Sequence, residues 1–164
     1  MKLISHIESQ LQSIKEPRRQ YVGASIIGHS CERHIYYSIT QSRPTPTMRQ
    51  QITFDIGHAI EKLLIDYLYD SGIQIHRFSN TLSDDDLIDF QGHVDAIIYK
   101  DGIPYAVLDT KTCKDAYFKS FVRDGMRTWS EQYYAQLQAY MGFLKIKYSV
   151  LLALNKNTSE LHEE

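Results

Sequence analysis

The sequence predicts an α/β (α+β) fold, a mixed central β-sheet flanked by helices. Three observations predict it. Apolar residues recur at helical spacing through the first half of the chain and again around residue 137, whereas residues 73–112 alternate with period two and are rich in β-branched side chains. Asp101-Gly102 separates two such alternating runs, the mark of an antiparallel hairpin. A last apolar run, Tyr148 to Leu154, follows a helical stretch. The order helix, three strands, helix, strand calls for a mixed sheet with helices packed on it.

Each element has its own signal. Leu3, Ile7, Leu11 and Ile14 fall on one helical face, and Ser30 to Ile39 reads as a second short helix with Ser30 as its cap. These two form an N-terminal helical cover, residues 1–46, which ends in the proline-broken stretch Ser42 to Thr47; the core then spans 47–164 within one compact domain. Ile52, Ile56, Ile60, Leu63, Leu64, Tyr67 and Leu68 make one apolar stripe, so a helix runs from about Thr47 to Asp70 and stops at Gly72. Strands are expected over Ile73–Leu82, Gly92–Tyr99 and Ile103–Thr112, then a helix over Ser130–Leu144 through Tyr133, Leu137, Tyr140 and Met141.

Composition narrows the function classes. A chain of 164 residues with 43% hydrophobic and 23% charged residues is globular rather than disordered. No apolar run reaches the roughly 18 to 20 residues that span a bilayer, and the start lacks a signal-peptide core, so an unexported, cytoplasmic protein with no membrane partner is expected. Cys31 and Cys113 are then reduced thiols. The net charge of −2 hides an uneven distribution: +4 over residues 1–50, −6 over 51–100 and zero beyond. A polyanion could dock on the basic flanks once a divalent cation neutralises the acidic middle. Asp84, Asp85, Asp86 and Asp89 read as a solvated loop outside that role.

The chemistry concentrates on the hairpin. Asp95 lies in GHVDAIIY on one arm, and Asp109 and Lys111 lie in VLDTKTC on the other. Residues two apart on a strand share a face, so Asp109 and Lys111 project together while Thr110 points away; His93 and Asp95 pair up in the same manner. Counted back from the turn, both aspartates reach one side of the sheet. Adjacent carboxylates repel unless a cation lies between them, and hard oxygen ligands suit Mg2+ or Mn2+. Lys111 beside a metal-bound phosphate would orient the attacking water and stabilise charge on the phosphoryl oxygens. Alone, D-x-K is most often a cross-strand salt pair. Here Ala106, Val107 and Leu108 precede it, and a carboxylate at the end of a buried strand is costly without a purpose.

GHVD, then LDTK with its aspartate fourteen residues after the first, then QLQAY on the next helix resemble the PD-(D/E)XK nucleases, most closely the RecB-type and phage-exonuclease branch. The likeness runs from residue 22 to about 155 and implies a restriction-endonuclease-like core acting on DNA. Gly57 and Glu61 in FDIGHAIEKLL resemble the branch's upstream helix motif, which adds Glu61 to the metal site of Asp95, Asp109 and Thr110. Gln136 and Tyr140 resemble its Q-x-x-x-Y motif, with the glutamine positioning the catalytic end and the tyrosine facing the DNA strand. SIIGHSCERHIYYS is similar to the branch's N-terminal helix. No iron-sulfur cluster is expected, because that cofactor needs four cysteines and two are present.

Lys114 and Arg123 are the DNA-binding candidates beyond Tyr140, in a basic stretch interleaved with Tyr117, Phe118, Phe121 and Trp129, whose rings either stack on bases or pack inward. The implied activity is a metal-dependent deoxyribonuclease, exonuclease by branch likeness. The other reading is a non-catalytic nuclease-like module that binds DNA or a protein. A homo-oligomer or a recombination partner stays open, and a phosphatase is disfavoured because no phosphate-cradling glycine loop is present.

Overall fold

The computed structural model describes residues 2–13, 21–41, 45–78, 80–84 and 90–164. Ile14, the first half of the Ser42–Thr47 linker, and Asp85, Asp86 and Asp89 lie outside the described residues. In chain order the elements are α1 (Leu3–Gln12), β1 (Val22–Gly23), a 3-10 turn (Ala24–Ile26), α2 (Glu32–Thr40), α3 (Met48–Asp70), β2 (Ile75–Arg77), β3 (Leu82–Asp84), β4 (Phe90–Gly92), β5 (Ala96–Lys100), β6 (Ile103–Cys113), α4 (Asp115–Asp124), α5 (Met126–Trp129), α6 (Glu131–Leu144), β7 (Tyr148–Asn155) and β8 (Leu161–Glu163).

Five strands form the main sheet in the order β2-β5-β6-β7-β8, antiparallel except for the parallel pair β6–β7. Parallel neighbours need a crossover, and α4 to α6 supply it. The alternation along β6 sorts its side chains between two layers. Leu108 packs with Leu64 and Ile65 of α3, and Val107 packs with Leu137 and Tyr140 of α6. The predicted mixed sheet with helices on its faces is the observed architecture.

Local chemistry explains the ends. Thr47 caps α3 in a reciprocal box with Gln50, and Ser130 caps α6 by accepting from the Tyr133 N–H. Asp101 and Gly102 both take positive φ, 53° and 77°, as a two-residue hairpin turn requires. For α2 the cap is Cys31 and not Ser30; its side chain makes no capping bond.

The strand expectations need three corrections. The run Ile73–Leu82 splits, so that β2 joins the main sheet while β3 pairs with β4 and β1 in a separate three-stranded sheet. Gly92–Tyr99 is likewise two strands, β4 and β5, broken at residues 93–95. The break falls where the backbone turns to α6: the His93 carbonyl accepts from the Tyr140 hydroxyl at 2.7 Å. A Cβ on Gly92 would stand 2.6 Å from the Tyr140 ring. The terminal strand β8 pairs with β7, although KNTSELHEE carries no apolar run to announce it.

Residues 22–28 are tied to the core rather than to α1. Val22 and Gly23 pair in parallel with Phe90 and Gln91, and Ala24 is 2% exposed within the α6-side cluster. Gly28 packs so tightly on α6 that a Cβ would lie 2.6 Å from that of Ala135. By contrast α1 lies against α3 and buries none of its residues.

Candidate active site

The register that closes the hairpin also builds the site. Ala96 pairs with Leu108, so Asp95, one residue before β5, stands opposite Asp109. Asp109 shares its β6 face with Lys111, and their carboxylate and ammonium form a direct ion pair. From the layer above, Gln136 on α6 donates through Nε2 to Asp109 Oδ1 at 3.4 Å and to the Tyr140 hydroxyl at 2.9 Å. Tyr140 then donates to the His93 carbonyl. One polar chain thus links the loop before Asp95, helix α6 and the centre of β6.

Asp95 is held from the neighbouring strand. Its Oδ2 accepts from the Thr110 N–H at 2.7 Å and from the Thr110 hydroxyl at 2.9 Å. Thr110 therefore holds Asp95 through both its N–H and its hydroxyl. His93 does not share a strand face with Asp95, since residues 93–95 lie between strands; its Nε2 meets the Thr81 hydroxyl at 3.2 Å.

Burial sets the electrostatics. Asp109 is 1% exposed, and loss of water pushes its carboxyl up to about 6, with Asp95 beside it adding to the rise and Lys111 opposing it. Asp95 is raised too, first by burial and also by Glu61, against the pull of Lys111 and the Thr110 N–H. Burial works against the Lys111 charge, but Asp109 and then Asp95 outweigh it, so the lysine is held protonated more firmly than usual. The ammonium also stands 5.1 Å from the centre of the Tyr133 ring.

Glu61 is near enough to Asp95 to push its carboxyl pKa up. Its Oε2 is turned to His58 Nδ1 at 3.4 Å, and among the described residues no three His, Cys, Asp or Glu side chains are grouped to hold a metal ion. A Cβ on Gly57 would meet only Thr112 Oγ1 at 4.0 Å, an ordinary contact. Tyr140, expected to face DNA, is 1% exposed with its hydroxyl engaged inside the protein. Arg123 is engaged by Asp124, whereas Lys114 is exposed on the rim of a cleft.

That cleft, about 450 Å³, opens beside Lys111. Trp129, Tyr133 and Lys156 line it as well; Lys156 belongs to the turn between β7 and β8, and no local sequence signal links it to Lys111. Of the interleaved aromatics, Phe118 and Phe121 pack inward, while Tyr117 stays 64% exposed.

No family model and no curated protein matches the sequence. Solved structures do match its fold. The chain is similar to an alkaline exonuclease, LHK-Exo, from Laribacter hongkongensis, with a TM-score of 0.62 at 11% identity over 98% of this chain and 80% of that one. LHK-Exo in complex with dAMP gives 0.62 at 12% identity over 90% and 77%. SSO0001 gives 0.52 at 19% identity over 98% and 74%. At these identities the likeness establishes a shared fold.

Proposed function

We propose that this chain is a divalent-metal-dependent deoxyribonuclease of the PD-(D/E)XK type, and an exonuclease of the RecB or phage-exonuclease branch. The observation that carries the reading is the cluster of Asp95, Asp109, Lys111 and Gln136, assembled at the hairpin of a fold shared with an exonuclease. As mere packing, two carboxylates and an ammonium would be a costly way to fill this space.

The donors present fit a hard cation. Apart from the Lys111 ammonium, Asp109 Oδ2 has no partner, and the buried Gln136 Oε1 has none at all among the described residues. Asp95 and Asp109 would hold Mg2+ or Mn2+, with Glu61 available beyond them. Such an ion polarises a phosphodiester and lowers the pKa of water. Thr110 keeps Asp95 ionisable by donating two hydrogen bonds to one oxygen. Gln136 fixes the Asp109 carboxylate against α6. Lys111, held protonated, is not a proton acceptor; it is a fixed positive charge that orients water and stabilises the phosphoryl oxygens. A phosphodiester is the substrate this chemistry requires, and DNA is the partner the resemblance implies.

Digestion of fluorescently labelled linear and circular DNA with Mg2+, Mn2+ or EDTA tests the reading. Linear DNA is expected to be degraded with metal only, circles are expected to survive, and Lys111→Ala is expected to cut at least about 100-fold more slowly. Full activity in Lys111→Ala, or cleavage in EDTA, overturns the assignment; nicked circles overturn the exonuclease half of it.

A further inference from the structure

The cleft beside Lys111 has the composition of a nucleotide site rather than of a solvated groove. We propose that it is a subsite for one unstacked nucleotide of the strand being cut, with the phosphate on Lys114 and Lys156 and the base against the ring wall of Tyr117, Trp129 and Tyr133. This rests on the nuclease reading for its substrate, but the site is defined by its own residues.

Four observations support it. The space, about 450 Å³, is in the range of small-molecule sites. Lys114 and Lys156 are both exposed, and neither makes an ion pair with a described residue. Asp109 is already engaged with Lys111, Asp115 with Lys119 and Asn155, and Glu160 with Thr158, so among the described residues neither cleft ammonium has an ion-pair partner. The rings form one connected wall: Trp129 stacks on the buried Phe121 at 4.7 Å, meets Tyr133 at 5.4 Å and meets Tyr117 edge-on at 6.5 Å. The indole N–H of Trp129 has no acceptor among the described residues.

Cations that track phosphate beside sequence-tolerant stacking faces are how single-stranded nucleic acid is held. A base paired inside a duplex cannot present its face to such a wall without leaving the stack. Lys111 lines both this cleft and the carboxylate cluster, so a nucleotide seated here lies next to the scissile phosphate. The substrate class follows: a single strand or a frayed end, not the interior of a duplex.

Trp129 is the single tryptophan of the chain, so its emission reads the cleft directly. The intact protein is titrated in EDTA with thymidine monophosphate, thymidine and inorganic phosphate separately. The monophosphate is expected to quench saturably, and inorganic phosphate, which lacks the stacking face, to bind about 5- to 100-fold more weakly. The double variant Lys114→Gln/Lys156→Gln, at two exposed positions, is expected to lose about 10-fold or more in affinity for the monophosphate and to keep its affinity for thymidine. Equal binding of phosphate and monophosphate overturns the stacking wall, and an unchanged affinity in the double variant overturns the phosphate site. Metal-dependent cleavage without any quenching sinks the subsite and leaves the nuclease standing. Quenching that obeys the variants, in a protein that cuts no DNA, does the reverse.

Discussion

Asp109 gives the site a signature in stability that needs no substrate. Its carboxyl rises from the ordinary 3.8 to about 6 on folding, chiefly because burial removes water from the charged form. The folded protein therefore holds this proton to higher pH than the unfolded chain. The stability it confers is present below about pH 4 and is lost as pH rises through about 6. At about 1.4 kcal/mol per tenfold change in proton affinity, the loss is about 3 kcal/mol. Asp109→Asn keeps the shape and removes the ionisation. At acid pH the protonated carboxyl and the amide are nearly isosteric, and both deprive Lys111 of the Asp109 charge, so the two proteins start level. By neutral pH the Asn variant should be the more stable by about 3 kcal/mol, or about 6 to 12 °C in Tm for a chain of this size. Thermal melts of both proteins in EDTA at several values between about pH 4 and about pH 7 measure the difference, in which titrating groups away from the site cancel to first order. A difference that stays constant across that range would refute the account of Asp109 as a desolvated carboxylate. Excess Mg2+ should flatten the wild-type slope, because a bound cation replaces the proton.

Tyr140→Phe leaves the ring in place but strips a donor from the His93 carbonyl and an acceptor from Gln136, so it should cost about 1 to 3 kcal/mol in urea unfolding; unchanged stability would mean that the hydroxyl is not engaged as described. Gly92→Ala drives a methyl to 2.6 Å from the Tyr140 ring and 2.9 Å from the Ala24 Cβ. The overpacking should cost about 1 to 3 kcal/mol, read by the same unfolding assay, whereas Gly57→Ala, with open space around it, should be neutral or better. Equal effects at the two glycines would contradict the contrast.

Much of the architecture is local and therefore readable in the chain. The α3 stripe and its Thr47 box, the Asp101-Gly102 turn, the long β6 and the Ser130 cap each depend on residues within a few positions of one another. The period-two rule likewise puts Asp109 and Lys111 on one face without any knowledge of the fold, and the structure joins them in an ion pair. Its limit shows at residues 93–95, where the alternation continues in the sequence but the backbone leaves the sheet to meet Tyr140. The meeting of β6 with Gln136 and the burial of Tyr140 are also non-local. So is the arrival of Lys156 at the Lys111 cleft, 45 positions further along the chain. Spacing along one element decides which side chains share a face. Which faces then meet, and which carboxylate loses its water, depends on how helices and strands distant in sequence pack together, and that was decided by the tertiary structure alone.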